Sequence, residues 1–105
     1  TTTYWYTTSS YTKWLYSIGN LTNPPNVISV SYGSYETYVT KSNLASFNVE
    51  AIKLGLRGVT IVAATGDDGV TGFLWRTTSY NLTKCGYYAM WPASSPYVTA
   101  IGGTM

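Results

Sequence analysis

Asp67 and Asp68 are the only aspartates in the chain, and they stand side by side in the run Thr65-Gly66-Asp67-Asp68-Gly69, directly after an apolar segment. Four chemistries are open to such a pair. They could be solvated residues of an Asp-Gly turn. They could ligate a cation, although the EF-hand spacing is absent and neighbouring carboxylates point apart on an extended chain. They could act as general acid and base, although adjacent positions rarely converge on one substrate. Or one of them could be an electrostatic element beside a nucleophile supplied elsewhere. Gly66, Gly69 and Gly72 recur three residues apart. A phosphate loop needs a different glycine frame with a Lys and a Ser or Thr, and two carboxylates would repel phosphate, so nucleotide binding is excluded. The chain has no His. Neither a Ser–His–Asp triad nor a His metal site can be completed within it.

A frame must hold this pair. Residues 59–64 are continuously apolar or β-branched and read as a strand buried on both faces of a parallel sheet. Residues 27–33 read as a strand ending at Gly33. Residues 34–41 read as a polar loop. Ser42 or Asn43 is the expected N-cap. Leu44, Phe47, Ala51 and Leu54 follow at helical spacing, which predicts an amphipathic helix over 44–57. Lys53 and Arg57 near its end suit the dipole, and Gly58 terminates it. Residues 27–65 thus form a βαβ unit with a right-handed crossover. Residues 66–96 show no helical period and form a long connection of the kind that is usually functional or disordered. Residues 97–101 read as a third strand.

Ahead of this unit, residues 3–6 have β-type composition. Residues 11–18 predict a short helix with Trp14, Leu15 and Ile18 on one face, and Asn23-Pro24-Pro25-Asn26 breaks the chain. The early aromatics read as core, with a sugar-binding aromatic platform as the alternative. Parallel sheets bind ligands outside the carboxyl ends of their strands. The segments 31–33 and 65–68 should therefore border one crevice.

With 105 residues, 45% of them hydrophobic and only 10% charged, the chain has about one domain's length and the wrong balance for disorder. A net charge of +2 from six scattered basic residues provides no nucleic-acid patch. No apolar run approaches the roughly 18 residues of a membrane span. Residue 1 is Thr and no signal-peptide pattern opens the chain, which suggests an internal piece of a longer protein, cut at both ends. The single Cys85 either pairs outside this stretch, as in a secreted protein, or is a small buried thiol. Two sequons, Asn20-Leu21-Thr22 and Asn81-Leu82-Thr83, lie in turn-like polar stretches and favour the secreted alternative.

Four runs, VISVSYG (27–33), FNVEAIKLGL (47–56), GVTIVAATGDDG (58–69) and WPASSPYVTAIGGT (91–104), together resemble the sedolisin family of serine-carboxyl peptidases over roughly residues 23–105. The resemblance implies a subtilisin-like three-layer α/β fold with a parallel sheet, here in part: the βαβ unit plus a further strand. It implies an acid-acting endopeptidase or tripeptidyl peptidase with a Ser–Glu–Asp catalytic set, acting on peptide or protein substrates. A propeptide in the parent is a further implied partner, and calcium an expected ion of the full-length parent with no site in this stretch. Asp67 matches the family's oxyanion-hole aspartate, where the related subtilisins carry Asn. Ser31, Tyr32 and Gly33 match the strand end that pairs with substrate backbone. Ala64, Thr65 and Gly66 match the wall of the primary specificity pocket. Trp91-Pro92 matches an aromatic-Pro step that could be cis. The expected setting is secreted or lysosomal/vacuolar, with Asn20 and Asn81 as glycan acceptors.

The oxyanion assignment has a physical consequence. An oxyanion hole must donate hydrogen bonds to developing negative charge. Asn donates at any pH. Asp donates only when protonated, and burial or nearby carboxylates favour that form. Activity is therefore expected in acid, with loss towards neutral. Scarce carboxylates also suit acid exposure, since few ion pairs are lost on protonation. Position 68, commonly Ser in bacterial members, is Asp here. Neither Glu36 nor Glu50 fits the family's catalytic Glu–Asp helix, because Leu54 follows Glu50 by four residues. Gly103-Thr104-Met105 is not the nucleophile motif, and Ser94 and Ser95 match loop serines. This stretch alone is expected to be inactive. An inactive homologue acting as a binding protein, or an aromatic-rich carbohydrate-binding module, are the other classes the sequence allows.

Overall fold

A computed structural model describes residues 10–103; the β-type stretch expected at residues 3–6 lies outside them. Helix α1 (Tyr11–Gly19) is followed by strand β1 (Val27–Val30), the two-residue strand β2 (Ser34–Tyr35) and a 3-10 turn over Glu36–Tyr38. Helix α2 (Lys41–Leu56) and strand β3 (Thr60–Ala64) follow. The chain then runs through a 3-10 turn (Gly69–Thr71), helix α3 (Gly72–Thr77) and a 3-10 turn (Leu82–Lys84), and ends on strands β4 (Met90–Trp91) and β5 (Thr99–Ile101). Strands β1, β3 and β5 form a parallel sheet with β3 in the middle. Strands β2 and β4 form a separate antiparallel ladder.

Each main element follows from its residues. In α2, Phe47, Ala51 and Leu54 are buried, the 3.6-residue repeat of one helix face. Thr40 is its N-cap, with Oγ1 accepting from the Asn43 N–H at 3.3 Å. The helix thus starts three residues before the position its apolar spacing marks, because the first turn (Lys41, Ser42, Asn43) is exposed and carries no apolar signal. Gly58, at φ +78°, turns the chain out of the helix and into β3. In α1, Leu15 and Ile18 are buried and Trp14 packs half-buried against the same cluster.

The sheet presents only one face to these helices. Ile28 and Val30 of β1 lie beside Ile61 and Ala63 of β3 in register, and all four point into the core with Leu15, Phe47 and Leu54. Thr60 and Ala64 are exposed and Val62 is half-buried. The expectation of a β3 buried on both faces is therefore corrected: among the described residues, helices cover one face, and burial alternates along the strand. All three residues of β5 are exposed.

Four further expectations are revised. The strand from residue 27 stops at Val30, and residues 31–33 leave the ladder to line a crevice. The supposed polar loop at 34–41 contains β2 and the fully buried Tyr35, whose aromatic character a polar run conceals. The stretch 66–96 contains α3, too short at 6 residues to show a period. The last strand begins at Thr99, two residues after its expected start.

Long-range polar contacts fix the connections. The Arg57 guanidinium donates to the carbonyls of Gly19, Leu21 and Thr22, tying the end of α2 to the turn after α1. The buried Ser95 donates Oγ–H to Asn48 Oδ1 at 2.7 Å, fixing the loop before β5 onto α2. Trp91 is buried edge-on against Phe47 at 5.0 Å between ring centres, and Trp91-Pro92 is a cis peptide. Because one sheet face and the edge strand β5 stand open, the 105-residue chain expressed alone should be poorly soluble or melt without a sharp cooperative transition. Circular dichroism checks this, and a steep two-state melt would contradict it.

Candidate functional site

The carboxyl ends of β1 and β3 meet at a crevice of about 200 Å³. Residues 31–33 line one side and residues 64–69 the other, with Gly72, Phe73, Arg76 and Met90 completing it. A space of this size takes a side chain or a peptide carbonyl and is below the usual range for a drug-sized ligand. Parallel pairing explains the meeting. Val30 sits beside Ala63, so both strands release their chains at the same end of the sheet.

Ser31, Tyr32, Gly33, Ala64, Thr65, Gly66 and Asp67 thus all border one opening. Gly33 is required by close approach: a Cβ there would meet the Trp91 carbonyl oxygen at 2.7 Å. Gly66, at φ +98°, bends the chain away from β3. Thr65 bonds to the Ile101 carbonyl through both its N–H and its hydroxyl, at 3.1 and 3.3 Å. Asp67 itself is exposed, so the described residues do not enclose it as the oxyanion argument anticipates.

Asp68 is placed differently. Arg76 of α3 grips it with two parallel bonds, Nε to Oδ1 at 2.5 Å and Nη2 to Oδ2 at 3.1 Å. The side chain of Asp68 is 11% exposed and that of Arg76 53%. Hydrogen bonding from Arg76, opposed by partial desolvation and aided by the cation's charge, holds the Asp68 carboxyl below its ordinary value. The Asp68 carbonyl also accepts from Thr71 Oγ1 at 2.7 Å. Asp67 lies within electrostatic reach of Arg76 as well.

Helix α3, which supplies Arg76, is seated on an aromatic cluster. Tyr35 stacks between Phe73 and Tyr88, each with ring centres 4.3 Å away. Its hydroxyl accepts from the Leu74 N–H at 3.0 Å. Gly72, at φ +71°, permits this, since any Cβ there would collide with the Tyr35 hydroxyl and the Tyr88 ring. On the other side of the crevice, Tyr11 donates its hydroxyl to the Tyr32 carbonyl at 2.6 Å. Burial, with a lesser contribution from Tyr32, pushes the Tyr11 phenol up to about 12, so it remains a donor throughout the acid and neutral range.

Sequence reasoning missed Tyr11, Phe73, Arg76 and Met90 as neighbours of the site. The one available signal was the Arg eight residues after Asp68, too distant for a helical pair. Asn20 and Asn81 are exposed, and Asn81 Oδ1 accepts from both the N–H and the hydroxyl of Thr83. Cys85 is exposed, which corrects the buried-thiol alternative: the turn over Leu82–Lys84 carries it outward. Among the described residues no group of three or more His, Cys, Asp and Glu converges, and no helix is long and apolar enough to cross a membrane.

The Asp68–Arg76 pair predicts a pH signature. The folded carboxyl titrates below the unfolded one, so the unfolded chain binds more protons between the two values and stability rises with pH there. The contribution is complete above the ordinary Asp range of about 3.9 and is lost as pH falls through the lower folded value. In the full-length parent, the stability difference between wild type and Asp68→Asn should be constant above about pH 5 and shrink in stronger acid. Unfolding midpoints measured against pH check this.

The sequence and the fold have counterparts among known proteins. No protein-family model matches the chain. Tripeptidyl-peptidase 1 of Homo sapiens, Macaca fascicularis and Mus musculus is 34% identical over 94 residues, which is 90% of this chain and 16% of each relative. The chain therefore spans about a sixth of the length of these curated relatives. Among solved structures, Pseudomonas sedolisin, a serine-carboxyl proteinase complexed with two molecules of pseudo-iodotyrostatin, superimposes with a TM-score of 0.62. It is 28% identical over 90% of this chain and 24% of that one. The βαβ frame, the crevice at its carboxyl end and these likenesses agree, and the chain belongs to the sedolisin family of serine-carboxyl peptidases.

Proposed function

We propose that this chain supplies the oxyanion side and part of the substrate cleft of an acid-acting endopeptidase or tripeptidyl peptidase. The observation that carries the reading is the position of Asp67 across one crevice from residues 31–33, at the joint carboxyl end of β1 and β3. A substrate strand laid along residues 31–33 would bring its scissile carbonyl towards Asp67. The protonated carboxyl of Asp67 then donates to the oxygen that becomes negative in the tetrahedral state. Ionised, the same group would repel that oxygen. Ala64, Thr65 and Gly66 wall the space for the neighbouring substrate side chain, with Met90 against Gly66 at its base.

The nucleophilic Ser and the Glu–Asp pair come from other parts of the parent, and these 105 residues alone carry out no hydrolysis. The calcium ion expected of the parent would be held by residues outside this stretch. A propeptide of the parent would cover the same crevice before processing. Exposed Asn20 and Asn81 are compatible with glycan attachment in a secreted, lysosomal or vacuolar setting, with Cys85 paired beyond this stretch.

Two measurements test the reading. The processed parent should hydrolyse peptides with a maximum near pH 3–5, a rough range set by carboxyl titration, and should lose activity towards neutral. A folded, processed parent without hydrolysis at any pH would leave the fold intact and point to an inactive homologue that binds peptides. Expressed in a secretory host, the parent should carry glycans at Asn20 and Asn81. Intact mass should fall by one glycan with each of Asn20→Gln and Asn81→Gln, and an unchanged mass would remove that site.

A further inference from the structure

Two carboxylates in one opening pose a problem for a site that uses a single acid as donor. Either could turn towards the substrate, and like charges so close disfavour ionisation of both. The structure resolves this by geometry. Asp68 is drawn aside by the two-bond grip of Arg76, leaving Asp67 exposed on the crevice. A bidentate guanidinium–carboxylate contact fixes direction as well as distance. The grip spans the turn over Gly69–Thr71, which carries no other side-chain anchor from α3 among the described bonds than this one. Helix α3 is itself held by the Leu74 N–H on the Tyr35 hydroxyl and by Phe73 stacked on Tyr35. A chain of contacts thus runs from the aromatic cluster through Arg76 and Asp68 to the residue adjacent to Asp67.

We infer that Arg76 is a positioning residue: by clamping Asp68 against α3 it fixes the turn that presents Asp67 and keeps the second carboxylate off the substrate. The inference rests on the peptidase reading above. The charged and titratable groups around the guanidinium are Asp67, Asp68 and the Tyr80 phenol, and Asp68 is the one bonded to it. Arg76 holds the Asp68 carboxyl below its ordinary range, so the clamp outlasts a free carboxylate as pH falls.

The test is a double-mutant cycle in the full-length, processed parent, with Arg76→Gln, Asp68→Asn and the pair together. A displaced donor costs about 10- to 100-fold in rate. Each single variant should lower kcat by an amount in that range with KM changed less than about threefold, since only the transition state needs the donor in place. The double variant should be no worse than either single, because both remove one interaction. Arg76→Lys, which keeps the charge but not the fork, should recover only part of the loss. Thermal midpoints measured alongside separate this from unfolding. If Arg76→Gln fails to fold, Arg76→Lys and Asp68→Asn still report the kcat–KM split. Losses that multiply in the double variant, a loss confined to KM, or full recovery in Arg76→Lys would each overturn the inference while the peptidase reading stands. A wild-type parent with no hydrolysis would overturn both.

Discussion

The parallel ladder of β3 with both its neighbours is the constraint on which the remaining structure depends. Pairing Val30 with Ala63 and Ala64 with Ile101 aligns the strand ends at one edge of the sheet. Parallel strands cannot be joined by a tight turn, so the chain must cross over the sheet, and α2 is that crossover. The same helix buries Phe47, Ala51 and Leu54 against the inward residues of β1 and β3. Core and crevice thus share a cause. The register that puts Ile28 beside Ile61 for packing also releases residues 31–33 and 65–68 at one place.

The loops at that edge border the crevice and would gain little order from their own composition. Their positions are imposed from outside. Tyr11 on α1 holds the Tyr32 carbonyl, and the Trp91 carbonyl lies so close to Gly33 that no side chain fits there. Tyr35 anchors α3, and α3 in turn anchors Asp68. Two of these contacts cross a wide interval of sequence, 21 residues for Tyr11–Tyr32 and 39 for Leu74–Tyr35. Such contacts form only once the sheet has brought the segments together, so the crevice is a product of the folded frame.

Asp67 and Asp68 illustrate how neighbours in sequence diverge in role. One is exposed on the crevice and the other is committed to an ion pair. The function we propose assigns the first to the oxyanion, where protonation is needed. The second is bonded to a cation, which favours ionisation.

The apolar periodicity by itself determined the βαβ core. The spacing of Leu44, Phe47, Ala51 and Leu54 marks a helix, and the apolar runs on either side of it mark strands, because burial of a repeating face is written into local residue type. Gly58 was legible as the exit from α2 for the same local reason. The motif around Asp67 was legible through resemblance. What tertiary structure alone decided is the company each site residue keeps. A helix of six residues leaves no period, and the buried Tyr35 lies in a polar run. The partner of Asp68 stands eight residues away across an irregular turn. Burial and pairing of that kind depend on which distant segment arrives alongside, and no local pattern encodes the arrival.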